Sequence, residues 1–436
     1  LKVASLLKET LLKKYVLDLK KLKRKLTFTG VEDRLIALLS TLNKQRVKPD
    51  SFDFDFFVSE LKAIKKTVVK EHHGLYINDI TSLINKTQLF GYHFASLDVR
   101  QDSRIHHTVF SRIVESCIEK NNGVFPNNYN QLNEEAQIDV ISKLDSELDI
   151  SIFKDELVYN TLKTIQVVKS IQSKNGELGA NRYIISNNQT ALNVMQLYAM
   201  LKLVAFNDKL SIDIVPLFET VNDLENAPKV MAQLYKNKAY KAHLRSRRQK
   251  QTIMLGFSDG TKDGGYFMAN WAIFKAKEAL TSVSKQHNID VVFFDGRGGP
   301  PARGGGKTHQ FYASLGPTIQ DKEVQLTIQG QTISSNFGTP DSSKYNLEQL
   351  ISSGLSNKLQ SEVNKDFSEA DRKTMDALAS LSYQAYQDFK VHPKFIPYLE
   401  RISTLKYYGK ANIGSRPSKR SKSCLLYTSP SPRDRY

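Results

Sequence analysis

The chain has 436 residues, of which 40% are hydrophobic and 25% charged, and its formal net charge is +17. This length allows a large core and two or three domains, and this composition excludes a chain that is disordered throughout. No apolar run reaches the roughly 18 residues of a membrane-spanning helix, and no secretion signal is recognisable. The two cysteines suffice neither for a disulfide framework nor for a zinc site, and a reducing cytoplasm is the expected location.

The positive charge is concentrated at the two ends of the chain. Residues 1–30 carry nine Lys or Arg against two acidic residues, and residues 409–436 carry seven against one. In the N-terminal run LLKETLLKKYVLDLKKLKRKL, leucines recur at helical spacing, which predicts an amphipathic helix with a solvated basic face. RNA or membrane binding is the less favoured interpretation, so we expect neither a nucleic-acid nor a membrane partner.

The first 90 residues have helical periodicity, and YHFASLDVRQ then predicts a strand that ends at Arg100. Helical patterns fill residues 104–175. Short β-branched runs then alternate with helical stretches, and the runs are NRYIISNNQ, LSIDIVPLFET, KQTIMLGFSDG, NIDVVFFDGRGG and EVQLTIQGQ. This alternation is typical of parallel βα units. We predict an α/β fold in which an incomplete (β/α) barrel of parallel strands is embedded in a large, mostly helical protein.

These patterns divide the chain into four predicted regions. A helical region covers residues 1–90, and a partial α/β barrel with the active-site motifs covers 91–340. A truncated helical region covers 341–423. The last segment, 424–436, reads CLLYTSPSPRDRY, and its different composition predicts a non-native tail that packs against nothing.

Unusual polar residues stand where the predicted strands stop, namely Arg100, Glu219, Asp259 and Arg297. In an α/β barrel the carboxyl ends of the strands form the active-site face, so these four residues are expected to meet there. Glu219 and Asp259 follow neighbouring strands, and Mg²⁺ commonly binds through one or two carboxylates. The alternative is that Asp259 caps a helix and Glu219 is merely solvated.

A glycine-rich loop, FFDGRGGPPARGGGKTHQ, follows one of the strands at residues 293–310. A nucleotide-binding P-loop would need a glycine at position 301, where this chain has Pro301, and prolines remove the N–H donors on which that motif depends. A flexible linker seldom follows a buried strand so directly. We therefore expect glycines that let the backbone approach a small anion, which Arg297 and Arg303 bind with their guanidinium groups.

An ordered series of motifs resembles the phosphoenolpyruvate carboxylase family over residues 30–423. The motifs are LDVRQDS at 97–103, PLFETVNDLENAP at 216–228, MLGFSDGTKDGG at 254–265, FFDGRGGPPARGGG at 293–306, TIQGQ at 327–331 and GSRPSKR at 414–420. They stand in the family's order and at family-like spacing. Several exceed ten residues, which makes the resemblance far more specific than a single glycine motif.

The resemblance implies a carbon–carbon lyase that joins bicarbonate to phosphoenolpyruvate and gives oxaloacetate and phosphate. Members require Mg²⁺ or Mn²⁺, replenish the tricarboxylic acid cycle in the cytoplasm, and are usually homotetramers. Phosphate is thought to pass to bicarbonate first, and the CO₂ released from carboxyphosphate is then attacked by the pyruvate enolate. Such chemistry needs a cation, arginines for the phosphoryl charge and a site that excludes water.

The resemblance also implies roles for individual residues of this chain. Glu219 and Asp259 match the metal ligands, and Arg100 and Arg297 match arginines on the substrate phosphate. Arg303 matches a second loop arginine used in catalysis and, in regulated members, in inhibitor binding. Lys262 matches the active-site lysine.

The chain departs from the family pattern at several positions. Asp295 stands where many members have histidine, which puts a bicarbonate-side role of this position in doubt. Gln331 replaces a glutamate, and Tyr386-Gln387 replaces a Tyr-Arg pair, so one phosphate contact is expected to be missing. These differences indicate a divergent, bacterial-type branch.

The family's catalytic histidine, in a Thr-x-His-Pro-Thr motif, has no counterpart here, since His392-Pro393 does not fit that motif. The chain begins with Leu1, and we expect it to be a C-terminal-half piece that is inactive on its own. The alternative to an enzyme is a basic, non-catalytic RNA-binding or scaffold protein that inherited the fold. The joint presence of Glu219, Asp259, Lys262, Arg297 and Arg303 argues against it, because a scaffold does not need them together.

Overall fold

The computed structural model describes residues 2–206, 209–298, 307–320, 322–328, 330–359 and 367–402. Its first part is a group of four helices, α1 (Lys2–Lys25), α2 (Glu32–Val47), α3 (Phe54–Glu71) and α4 (Ile77–Phe90). As the leucine spacing predicts, α1 buries Leu12, Leu19 and Leu22 and leaves most of its lysines exposed. The buried side chains of all four helices form one hydrophobic cluster of their own.

Three further helices, α5 (Ser103–Glu119), α6 (Glu134–Ser142) and α7 (Glu156–Asn175), separate the first strand from the second. Each begins at a polar N-cap whose side chain accepts a hydrogen bond from a backbone N–H of the first turn: Asp102, Asn133 and Asp155 respectively. Such caps satisfy amides that have no partner within the helix and thereby fix where it starts.

Six strands make up the sheet that the structure describes: β1 (Asp98–Asp102), β2 (Arg182–Ser186), β3 (Asp213–Phe218), β4 (Lys250–Leu255), β5 (Asp290–Gly298) and β6 (Val324–Ile328). They lie side by side in sequence order, and every neighbouring pair is parallel. Helices join consecutive strands from β1 to β6, which is the topology that the alternating sequence pattern predicts.

The predicted end of the first strand is wrong by two residues. β1 continues to Asp102, so Arg100 lies in the middle of the strand and pairs in register with Ile184 of β2. The strand stops at Asp102 because that carboxylate accepts the Arg104 backbone N–H and begins α5. The residues before Asp98 are irregular, with Phe94 at a positive φ of 65°, so the strand also starts later than its alternating pattern indicates.

The two faces of the sheet have different partners. One face packs against α8 (Ala191–Val204), α9 (Val221–Lys236), α10 (Lys238–Ser246) and α12 (Tyr266–Gln286), and side chains such as Ile185, Ile253 and Phe293 join the main core there. The other face carries a small apolar cluster of Ile184, Val215, Leu217 and Met254. Alternation along each strand sends successive side chains to opposite faces.

The sheet is curled into a half-barrel. Arg182 of β2 donates to the Gln325 side chain of β6 at 3.1 Å, although three strands lie between them. In a flat sheet these strands would be about 19 Å apart, at about 4.8 Å per step, so only strong curvature allows this contact. The face with Ile184 and Val215 is therefore the concave one, and the helices cover the convex one.

The remaining helices follow the strands. They are α11 (Phe257–Gly264) after β4, α13 (Thr308–Ala313) after β5, and α14 (Gly330–Phe337), α15 (Pro340–Leu359), α16 (Glu369–Val391) and α17 (Phe395–Ile402) after β6. Arg372 of α16 makes a two-pronged contact with Glu278 of α12 at 2.6 and 2.9 Å, which docks α16 on the barrel. Among the described helices, none is long and apolar enough to cross a bilayer.

Candidate active site

The carboxyl edge of the half-barrel collects the polar residues that sequence patterns single out. Glu219 directly follows β3, and Asp259 lies in the first turn of α11, which begins two residues after β4. Because β3 and β4 are adjacent and parallel, both carboxylates lie at the same edge of the sheet. Arg100 lies within β1, further from this edge, and its register with Ile184 places it on the concave face.

Glu219 is held from two sides and is almost completely buried. Its Oε2 atom accepts the backbone N–H of Asn187 at 2.6 Å, and its Oε1 atom lies 3.5 Å from a guanidinium nitrogen of Arg100. The Glu219 side chain is 8% exposed and the Arg100 side chain 41%. The carboxylate is thus fixed by protein groups, whereas the arginine side chain is partly exposed to solvent.

A capping box holds the backbone at this point. The Asp223 carboxylate of α9 accepts the backbone N–H groups of Glu219 and Thr220 at 3.3 and 3.0 Å, and the Thr220 hydroxyl accepts the N–H of Asp223. Glu219 therefore sits on a turn whose geometry is set before any ligand binds.

Asp259 and Lys262 occupy one side of the short helix α11, three residues apart. Their side chains form an ion pair with Nζ and Oδ1 at 3.5 Å, and each is about one fifth exposed, at 21% for Lys262 and 23% for Asp259. Helix α11 can approach β3 because Gly256, its N-cap, has no side chain: a Cβ there would lie 3.2 Å from the Cα and 3.3 Å from the Cγ of Glu219.

Helix α16 holds the far end of α11. The Tyr386 hydroxyl donates to the Lys262 carbonyl at 3.1 Å, and Gln387 and Lys390 each donate to the Asp263 carbonyl at 2.8 Å. Burial, with a further contribution from the Asp263 carboxylate, raises the pKa of Tyr386. Gln387, which replaces an arginine of the family pattern, thus contacts backbone in this chain.

Asp295 points away from this site. It shares its face of β5 with Phe293, a member of the convex-side core, and its Oδ2 atom lies 2.7 Å from the Lys277 ammonium of α12. The Tyr312 hydroxyl donates to the same oxygen at 2.8 Å. The carboxylate is completely buried, so the sequence-based doubt about a bicarbonate-side role has a structural basis.

Some predicted site residues fall outside what the structure describes. The backbones of Arg297 and Gln331 belong to β5 and α14, but their side chains are not among the described parts, and neither is any part of Arg303. The motif GSRPSKR and the predicted foreign tail at 424–436 also lie outside the described residues.

The residues at the edge fit a hard divalent cation with few protein ligands. Among the described residues no group of three or more His, Cys, Asp or Glu side chains is placed to hold a metal. Mg²⁺ usually takes only one or two carboxylates and fills its octahedron with water and substrate oxygens. Glu219 and Asp259 are two carboxylates at this edge, and the absence of a side chain at Gly256 lets the start of α11 pack closely against Glu219.

The structure adds residues to the site that the motifs did not single out. Asn187 presents its N–H to Glu219 in a left-handed conformation, with φ of 54°, which asparagine adopts more readily than most residues. Its neighbour Asn188 is completely buried, and its side-chain amide has no hydrogen-bond partner among the described residues. The stretch SNNQ after a predicted strand was the available signal, since paired asparagines mark such turns.

Parallel strands curled into a half-barrel, with acidic and basic side chains at their carboxyl edge, define an α/β-barrel enzyme class. A comparison with protein-family models identifies the family: the model described as phosphoenolpyruvate carboxylase matches residues 3–427. The chain therefore belongs to the phosphoenolpyruvate carboxylase family. The match begins before residue 30 and ends after residue 423, so it is longer at both ends than the motif series. The family implies a carbon–carbon lyase with phosphoenolpyruvate and bicarbonate as substrates.

Proposed function

We propose that the protein to which this chain belongs carboxylates phosphoenolpyruvate with bicarbonate to form oxaloacetate and phosphate, as an Mg²⁺- or Mn²⁺-dependent cytoplasmic enzyme. The observation that carries the proposal is the contact between Arg100 and the buried Glu219 at the carboxyl edge of the half-barrel. A guanidinium that can bind an anion and a carboxylate that can bind a cation thus lie side by side, in a chain of the corresponding family, and this supports the proposal.

The proposed ion site consists of Glu219 and Asp259. Bound there, the divalent ion would supply charge stabilisation for the substrate oxygens. The protein's own contribution is to hold the two carboxylates ready. Asn187 and Arg100 fix Glu219, and the ion pair with Lys262 orients Asp259.

Arg100 and Arg297 are the proposed phosphate-binding residues, and Lys262 and Arg303 are proposed to act in catalysis. A guanidinium can donate two parallel hydrogen bonds to phosphate oxygens. Arg100 is suited to this role because 41% of its side chain remains accessible while the Glu219 contact restrains it. The Lys262 ammonium is restrained by its ion pair with Asp259, which keeps it beside a proposed metal ligand.

The test is turnover by the protein expressed from the complete gene. Oxaloacetate is followed by reduction with malate dehydrogenase and NADH, and phosphate is measured separately, with and without bicarbonate and Mg²⁺. We expect both products in equal amounts, and only when bicarbonate and the metal are present. No oxaloacetate under these conditions would contradict the proposal. Salt-sensitive RNA binding by the same preparation would then favour the basic scaffold instead.

A further inference from the structure

A buried cluster of three polar side chains lies behind β5, on the face of the sheet opposite to the proposed active site. The Asp295 carboxylate of β5 accepts hydrogen bonds from the Lys277 ammonium of α12 at 2.7 Å and from the Tyr312 hydroxyl of α13 at 2.8 Å. The side chains of Asp295 and Lys277 are 0% and 1% exposed, and Tyr312 is buried as well.

The surroundings of Lys277 are aromatic, and this makes its ammonium depend on the Asp295 carboxylate. Its ammonium lies 5.1, 5.3 and 5.7 Å from the ring centroids of Phe293, Phe311 and Tyr312. Aromatic faces stabilise a cation, but they exclude water, and the carboxylate of Asp295 at 2.7 Å compensates the buried charge. Moving either partner out of place would leave a charge in an apolar environment, which is costly.

The cluster joins elements on both sides of the glycine-rich segment. Asp295 precedes that segment on β5 and accepts hydrogen bonds from Tyr312, which follows it on α13, and from Lys277 of α12. The residues that flank the segment on its two sides are therefore connected to each other and to α12 through the Asp295 carboxylate.

Asp295 lies at the point where the regular pairing of β5 with β6 ends. Asp295 pairs with Leu326 of β6, but the next pair is Gly298 with Ile328, so β5 uses one residue more than β6 over this interval. Arg297 lies within this bulge. Bulges redirect the chain near active sites, and their backbone has fewer ladder hydrogen bonds to hold it. At Gly296, within the same bulge, a Cβ would lie only 3.1 Å from the Leu255 carbonyl oxygen, so the backbone approaches β4 closely there.

We propose that Asp295, Lys277 and Tyr312 are positioning residues, which fix the carboxyl end of β5 and thereby the backbone of Arg297 for binding the substrate phosphate. This inference rests on the proposed function. Asp295 does not touch substrate, because it is completely buried on the convex side of the sheet while Arg100 and Glu219 lie at the concave face and its edge. Its effect on the reaction reaches the substrate through the backbone.

The experiment compares Asp295→Asn, Lys277→Met and Tyr312→Phe in the protein expressed from the complete gene. We expect the first two to raise the KM for phosphoenolpyruvate to similar extents, on the order of tenfold to a hundredfold, since a displacement of about 1 Å can have that effect. Tyr312→Phe removes one hydrogen bond and no charge, so its effect should be smaller. The KM for bicarbonate should stay near that of the wild type. A selective rise in the KM for bicarbonate, or no change in either, would overturn the proposal.

A double variant separates positioning from simple stability. Asp295→Leu combined with Lys277→Met replaces the buried ion pair by apolar side chains, an exchange that often leaves stability unchanged or improved. The melting temperature should then return towards the wild-type value while the KM for phosphoenolpyruvate stays high. If the melting temperature and the KM both return to their wild-type values, the cluster contributes to stability alone and the proposal is wrong. Asp290→Asn, on the same strand as Asp295, is the matched control and should change neither quantity, since Asp290 and its partner Lys322 are 56% and 65% exposed.

Calorimetric binding of phosphoenolpyruvate distinguishes this inference from the proposed function. If the wild type binds phosphoenolpyruvate without forming oxaloacetate, and Lys277→Met weakens that binding, the proposed reaction is wrong and the positioning role stands. If the wild type turns over normally and the variants bind phosphoenolpyruvate as it does, the reaction stands and the positioning role is wrong.

Discussion

The guanidinium of Arg100 reaches across β2 to lie 3.5 Å from the Glu219 carboxylate, which follows β3. Arg100 lies on the concave face, and its long side chain spans the width of β2 to reach that carboxylate. The carboxylate is buried and the arginine is partly exposed, which supports the proposed division of roles between Arg100 as a substrate ligand and Glu219 as a metal ligand. The first two predictions follow from this division.

The metal site should fail when either carboxylate is neutralised. We expect Glu219→Gln and Asp259→Asn each to abolish Mg²⁺-dependent oxaloacetate formation, because an amide is a much weaker ligand for a hard cation than a carboxylate. With the ion bound, the two wild-type carboxylates should lie within about 6 Å of each other. Glu225→Gln, an exposed position of α9, is the control. Mg²⁺-dependent turnover retained by Asp259→Asn would count against this assignment.

Phosphate binding should depend on guanidinium geometry and not on charge alone. We expect Arg297→Lys and Arg100→Lys to raise the KM for phosphoenolpyruvate roughly tenfold to a hundredfold, since a charged hydrogen bond contributes about 1.5–3 kcal/mol. Steady-state kinetics at saturating bicarbonate measures this. Arg248→Lys, at an exposed position just before β4 and so at the opposite edge of the sheet, should have no effect. An unchanged KM for Arg297→Lys would show that this residue does not bind the phosphate.

The absence of a side chain at Gly256 should be essential to the site. Its Cβ in Gly256→Ala would meet Glu219 backbone and side-chain atoms at 3.2 and 3.3 Å, which the packed strand end cannot easily avoid. We expect overpacking to lower the free energy of unfolding by about 1–3 kcal/mol. Calorimetry should also show weaker Mg²⁺ binding, because the new Cβ displaces Glu219. In Gly354→Ala of α15 the new Cβ meets nothing within 4 Å, and stability should rise by up to about 1 kcal/mol. If Gly256→Ala and Gly354→Ala change stability and Mg²⁺ affinity equally, the close packing at Gly256 is not needed for the site.

Two buried histidines should make the fold sensitive to acid. Burial lowers the pKa of His106 from 6.5 to about 4, and burial with the Arg247 charge lowers that of His243 to about 3. Between pH 6.5 and these values the unfolded chain binds more protons than the folded one, so stability is present above pH 6.5 and is lost as the pH falls.

Replacing one of these histidines should remove part of that pH dependence. For His106 the shift corresponds to about 3 kcal/mol, at about 1.4 kcal/mol for each pKa unit. Urea unfolding between pH 7 and pH 4 gives the free energy of unfolding as a function of pH. In His106→Asn the slope of this dependence should be smaller than in the wild type by the equivalent of about one proton. His73→Asn is the control, because His73 is exposed and asparagine tolerates its positive φ of 51°. An unchanged slope in His106→Asn would mean that this histidine is already protonated in the folded protein.

Local features of the sequence predicted much of this protein. Leucines at helical spacing predicted α1, and β-branched runs between helical stretches predicted parallel strands with their carboxyl ends at one edge. Both are consequences of how side chains are distributed around a helix or across a strand, which a short window of sequence already contains. The long motifs identified the family that the family model confirms.

Other features depend on residues far apart in the chain, and only the tertiary structure decided them. The sequence predicts Arg100 at a strand end, but the strand continues to the Asp102 cap, and the register of β1 puts Arg100 on the face from which it reaches Glu219. In the sequence, Asp295 is notable only because it stands where many family members have histidine. Its partner Lys277 lies 18 residues earlier, on a helix on the convex side of the sheet. Residue type and spacing determine which elements form. The face that each side chain occupies, and the partners it meets there, follow from register and curvature, which are set by the packing of the whole sheet against its helices.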